Sequence, residues 1–449
     1  MNTTPNHASD STPDAPRKFL VGVLEAFTPP AWLARDDREF GLDSWASGEH
    51  YVYAAQRMEA AKLDFVFYHD TLAVQRNADG DMTPALKWSA TAPAHDPLHL
   101  LPVLAHATEH IGLIGTASTT YDHPFRLARA FSTMDSIAGG RIGWNIVTSF
   151  EEGAAANFGV DTRGHDERYE RADEFVTVAK RLWEAWEPDA VVADLATDTF
   201  VDGSKVHSVD HVGKYYRSRG PLNTQRSPQG SPMLAQAGQS EQGREFAAKH
   251  AEFVFTVDAG SVESAKAYRD DIRARAAKHG RDPDDVKVIF GLEVNFTREG
   301  ADEEERAAVT DAQFGSQLEW WSSSVNLDLS RLPLDEPFPV DTPPSGIHGL
   351  FQTLVDRSRE GLTIRETIMR FIRGTSNFEG TPEEVAQQII DFMAAVGGDG
   401  VMISRVWMHN AQFLDDMTER LLPALQRAGV TRTEYEPGQT LRQRVLGHD

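Results

Sequence analysis

The chain contains no cysteine. That excludes disulfides, thiolate metal sites and a cysteine nucleophile, and makes a reducing cytosol the simpler expected compartment. It also lacks any apolar run near the ~20 residues needed to cross a bilayer. There is no GxGxxG turn, Walker A loop or GxSxG elbow, so three common phosphate-binding and nucleophilic devices are missing. Positive charge is in short supply: the formal net charge is −24. Such a chain repels nucleic acid and anionic membrane surfaces. What is present is ordinary for a folded chain, with 40% hydrophobic and 25% charged residues over 449 positions. Residues 1–18 are polar and proline-rich and are expected to form a disordered tail.

After the tail, short apolar runs alternate with amphipathic ones. Strands are predicted at Phe19–Leu24, Phe65–His69, Ile111–Ala117, Arg141–Val147, Met233–Ala237, Phe253–Val257, Val286–Leu292 and Gly400–Ser404. Helical spacing marks His50–Ala61, Pro97–Glu109, Pro124–Ile137, Arg168–Trp186, Pro382–Ala395 and Leu414–Arg427. Eight strand–helix alternations suit a (β/α)8 TIM barrel. The competing open sheet announces itself by a Gly-rich turn after its first strand, and here that strand runs into EAFTPPAWL. Two stretches break the repeat. One, 187–232, reads as an insertion carrying a hairpin. The other, 313–375, contains Trp320 and Trp321 and is expected to be a lid or substrate wall. Residues 19–449 are read as a single domain with these two insertions.

A barrel gathers its chemistry at the C-terminal ends of its strands. Asp70 follows the second strand, Thr116 ends the third and Asn145 lies in the fourth. Ser240 stands where a helix begins after the fifth, placed either as a plain N-cap or as a phosphate contact. His165 and Tyr169 are four apart, sharing one face if a helix starts near His165. They read either as a surface cap and a core tyrosine or as a grip on a phosphate. His69 and Asp70 are neighbours on a strand and point to opposite faces, so they do not form an acid–base pair. His106 and His110 have no convincing acidic third ligand, and no metal is expected. Many groups here can hold a cofactor and few form a self-sufficient catalytic set.

Asp122–Gly159 reads DHPFRLARAFSTMDSIAGGRIGWNIVTSFEEGAAANFG. It is followed by HDERYERADEF, by the block from Lys205 to Thr256, and by GTPEEVAQQI from Gly380. These blocks resemble the bacterial luciferase-like flavin monooxygenases, in the subgroup of nitrilotriacetate and dibenzothiophene-sulfone monooxygenases, pristinamycin IIA synthase and riboflavin lyase. The resemblance implies a TIM barrel and a two-component monooxygenase. FMN would arrive as FMNH2 from a separate NAD(P)H-dependent flavin reductase, possibly by diffusion alone, and O2 would be activated as a flavin peroxide. A small organic substrate would then be oxygenated, with C–N or C–S cleavage. Asp70 and Thr116 would lie near the flavin ring, and His165, Tyr169 and Ser240 around its phosphate. Asn145 and His69 are weaker candidates beside the ring and substrate. A homodimer or homotetramer is implied. Two departures border the substrate side: EAFTPPAWLARDD where relatives carry a histidine, and His69 where they carry a small or apolar residue. The alternatives are a riboflavin lyase-like enzyme acting on a flavin, an F420-dependent dehydrogenase, and a non-catalytic flavin-binding protein.

Overall fold

The computed structural model describes residues 18–27, 44–74, 76, 80–83, 86, 92–256, 261–297, 300, 314–315, 317–322, 324–325, 327–343, 348–372, 377–404 and 411–447. All but one residue of the predicted tail, and most of the EAFTPPAWLARDD segment, lie outside these.

Eight strands close on themselves: β1 (Leu20–Ala26), β2 (Phe65–His69), β3 (Gly112–Ser118), β4 (Ile142–Val147), β5 (Met233–Gln236), β6 (Phe253–Thr256), β7 (Lys287–Phe296) and β8 (Gly400–Ser404). All are parallel. Leu20 pairs with Gly400 to join β1 to β8, and Phe253 pairs with Lys287 to join β6 to β7. The barrel expected from the sequence is therefore the fold, with strand ends within a few residues of expectation. A short strand, Asn377–Gly380, extends the far half of β7, a feature the sequence reading did not include.

Residues alternate between two cores. The inward row contains Leu20, Phe65, Phe67, Ile114, Met233, Phe253, Phe255, Ile289 and Met402. The outward row packs on the helices, which include α1 (Glu49–Ala60), α2 (Pro97–Ala107), α3 (Pro124–Ile137), α4 (His165–Glu184), α5 (Glu241–His250), α6 (Val262–Lys278) and α7 (Pro382–Val396). A final helix, α8 (Leu441–Leu446), does not join the outer ring. Its Leu441 and Val445 enter the inward cluster from the N-terminal end of the strands and plug the base. Gly112 makes room for this: a Cβ there would lie 2.4 Å from Leu441 Cδ1.

The first insertion holds two hairpins, Val191–Asp194 with Thr199–Val201 and His211–Val212 with Arg217–Ser218. The second contains two helices, His348–Arg359 and Ile364–Ile372, and a core of its own. Trp321 is fully buried in that core and Trp320 stacks on Phe371, so Trp321 braces the insertion.

Helix α7 begins with a capping box. Thr381 Oγ1 accepts from Glu384 N, and the Glu384 carboxylate accepts from Thr381 N. Thr381→Ala is expected to cost about 1 kcal/mol in urea denaturation, and Thr381→Ser much less.

Candidate active site

The inward rows turn polar as they leave the barrel. Above Phe67 comes His69, above Ile114 comes Thr116, and Asn145 and Glu293 lie on the inward rows of β4 and β7. His69 thus continues the row facing the mouth. The residue is exposed at the mouth, yet the protein mass around it lowers its pKa to about 4 by desolvation, which favours the neutral ring near pH 7.

Asn145 Nδ2 donates to Thr116 Oγ1 at 2.8 Å, and Thr116 Oγ1 donates to the Tyr68 carbonyl at 2.8 Å. The relay crosses three strands and fixes the Asn145 amide. Its Oδ1 is buried and has no hydrogen-bond partner among the described residues. A buried acceptor without a partner costs about 1–3 kcal/mol, so a site that leaves one open is built for a donor from outside.

Beside this relay lies a cavity of about 360 Å³ whose walls include Asp70, Asp96, Thr116, Ser118, Asp122, Arg126, Ser149 and Glu151. Arg126 is held by both oxygens of Asp122, at 2.8 and 2.9 Å. Burial, reinforced by Asp96 and Glu151, pushes Asp70 up to about 7. Near neutral pH it is therefore poised between accepting and donating. Ser149 adopts a positive φ of 29° and donates to Ser118 Oγ at 2.8 Å, a strained turn of the kind that gathers at sites.

A second polar group forms at the start of α5. Helix α4 begins at His165, and the rings of His165 and Tyr169 lie 5.0 Å apart. Ser240 caps α5 by accepting from Gly243 N at 3.1 Å, and the same hydroxyl meets His165 Nε2 at 3.2 Å. A Cβ on Gly243 would come within 2.9 Å of the Tyr169 hydroxyl, so all three side chains converge on this helix end. The two readings of Ser240 coexist: it is an N-cap and also part of a cluster. Tyr268 steadies the preceding turn by donating to the Gly238 carbonyl at 2.6 Å.

Sequence reading placed Ser118 and Ser149 at the ends of the third and fourth strands but missed Glu25 and Glu293. Extending the period-two row of β7 past the apolar core would have found Glu293. Glu25 faces the helix layer near Tyr51 and Tyr68, and burial raises its pKa to about 8. Its unfolded value is near 4.5. Between those pH values the folded state keeps a proton that the unfolded state has lost. Its stabilising contribution is thus complete below about 4.5 and drains away as pH rises through about 8. At pH 9, Glu25→Gln is expected to exceed the parent in stability by on the order of a few kcal/mol, with no gain at pH 4. Equal denaturation midpoints at both pH values would contradict this.

The comparisons with known proteins agree with this architecture. A family described as luciferase-like monooxygenase matches residues 35–400. Dibenzothiophene-sulfone monooxygenase of Rhodococcus erythropolis is 35% identical over 434 residues, covering 92% of each chain. Nitrilotriacetate monooxygenase component A of Aminobacter aminovorans is 35% identical over 417 residues, covering 88% of each. A solved riboflavin lyase, with modified FMN and riboflavin, superposes with a TM-score of 0.81 at 30% identity over 96% of each chain. The chain belongs to the luciferase-like monooxygenase family and is an enzyme of that flavin-dependent type.

Proposed function

We propose that this protein is the oxygenase of a two-component system, taking FMNH2 from a separate NAD(P)H-dependent reductase. The observation that carries the reading is the pairing of an open buried acceptor, Asn145 Oδ1, with a helix-end cluster suited to a phosphate. These match the two polar ends of one elongated cofactor. His165, Tyr169 and Ser240 would hold the FMN phosphate. Asp70 and Thr116 would flank the ring, and Asn145 would accept a hydrogen bond from it. The Thr116 hydroxyl proton is already given to Tyr68, so Thr116 would act chiefly by orienting Asn145.

When bound, reduced flavin supplies the electrons that activate O2. The protein's share is to exclude water, fix the ring and hold Asp70 near its point of ionisation. A small organic substrate would enter from the His69 side and be oxygenated, with C–N or C–S cleavage as the expected result. The riboflavin lyase likeness supports a second reading, in which a flavin is itself the substrate.

We also read the barrel and its insertions as one domain, and the protein as a cytoplasmic homodimer or homotetramer. Leu195 and Phe200, 93% and 69% exposed on the first hairpin, support self-association. Among the described residues no helix is long and apolar enough to cross a membrane.

The test is to mix protein and FMNH2 anaerobically, add oxygenated buffer in a stopped-flow instrument, and follow visible absorbance. A return of oxidised flavin that lags behind free FMNH2, and that a substrate accelerates, supports the oxygenase. Oxidation indistinguishable from free flavin, with no measurable FMNH2 affinity, would sink it. Release of lumichrome from riboflavin would favour the second reading.

A further inference from the structure

A second cavity, of about 320 Å³, opens at the base of the barrel beside the N-terminal end of β5. Four cationic side chains line it, Lys180, Arg226, Arg281 and Arg442, against the carboxylates of Glu184 and Glu252. This surplus of positive charge stands in a chain of net charge −24, so it does not reflect a generally basic surface.

The carboxylates do not balance the cations. Glu252 is engaged by Arg442 at 2.5 and 3.1 Å and by Leu234 N at 3.0 Å. Arg442 spends its remaining donors on Ser231 Oγ and on the Gln229 and Pro232 carbonyls. Glu184 is exposed and hydrogen-bonds to none of the four cations among the described residues. His250 adds no charge, because burial holds it down to about 4 and it contacts Asp173 at 2.7 Å.

Three cations are left over. Arg281 donates to the Ala248 and Ala251 carbonyls at 2.8 and 2.7 Å, and Lys180 to the His250 carbonyl at 3.2 Å. Neither pairs with a carboxylate among the described residues, and nor does Arg226, which packs against Gly230. Burial lowers Lys180 to about 8 even though the fields of Glu252 and Glu184 oppose it, and Arg281 and Arg442 add to the lowering. Guanidinium and ammonium donors lining one half-open cavity are suited to tetrahedral oxyanions. The volume is roughly ten times a water molecule's ~30 Å³ share, more than one phosphate group needs.

We propose that this basal pocket binds a phosphorylated small molecule, its phosphate held by Lys180, Arg226 and Arg281. The site is separate from the Ser240 cluster, which lies at the opposite end of the strands.

Isothermal titration of the full chain with inorganic phosphate and with glycerol 3-phosphate, at ionic strength fixed with chloride, tests it. The Ser240→Asp variant, whose helix-end cluster is blocked by charge, is titrated alongside. Saturable binding that persists in Ser240→Asp, and weakens about tenfold or more in Lys180→Gln and Arg226→Gln, is the expected result. Tighter binding of the ester than of inorganic phosphate extends it to the organic part; equal binding supports recognition of the phosphate group alone. Absence of saturable binding by both probes overturns the proposal, as does binding unchanged in both basal variants. Circular dichroism checks folding, and if Arg226→Gln is unfolded, Lys180→Gln decides.

Discussion

Ser240→Asp is expected to abolish measurable FMN binding while leaving riboflavin binding unchanged. The substitution is chosen for what it preserves. Aspartate is as good an N-cap as serine, so the Gly243 N–H keeps an acceptor and α5 keeps its start. What changes is the sign of the charge at a helix end proposed to face a phosphate. Ser240→Ala and His165→Ala are milder. Each removes one hydrogen bond to a charged group, worth about 1.5–3 kcal/mol, or about tenfold to a hundredfold in FMN affinity. Riboflavin lacks the phosphate and reports on the ring site alone. Fluorescence titration with both ligands separates the two ends. Parallel losses for FMN and riboflavin would show that Ser240 acts only by shaping α5.

Arg141→Met is expected to destabilise the fold by about 3–5 kcal/mol, read as a shift of the urea midpoint at constant slope. Arg141 is 6% exposed and uses every donor it has. Its Nε donates to the Ala138 carbonyl at 2.8 Å, and the two terminal nitrogens reach Thr108 Oγ1 and the carbonyls of Ala105, Thr108 and Ile111 at 2.9–3.0 Å. Two of those carbonyls lie at the C-terminal end of α2, where a helix leaves acceptors unmatched and favours a cation. Methionine fills much of the volume and satisfies none of them. Arg141→Lys restores the charge without the fork, and should recover only part of the loss. A cost below about 1 kcal/mol for methionine would mean that water replaces the guanidinium.

The barrel was legible because its strands are short apolar runs bounded by turns, and the site because strand ends are where a barrel presents its polar groups. The candidates Asp70, Thr116, Asn145 and Ser240 were read that way, whereas His165 and Tyr169 were read from their helical spacing. The rest depended on contacts that sequence spacing does not encode. LRQRVL is too short and too charged to read as a plug; its Arg442 is tolerated only because Glu252 meets it. The Trp320–Trp321 pair carries no mark of which core it serves. Nor does any local pattern link Lys180, Arg226, Arg281 and Arg442, which come together only when four separate elements meet.

The pairing of Leu20 with Gly400 and the plug at Leu441–Leu446 also set a schedule. The free edge of β1 has no partner until β8 has been made, some 380 residues later. At synthesis rates of about 5–20 residues per second that is roughly 20–80 s, during which an apolar strand edge can template aggregation. Yield from expression should therefore respond to slower growth temperature and chaperone supply more than to changes in the mature protein's stability.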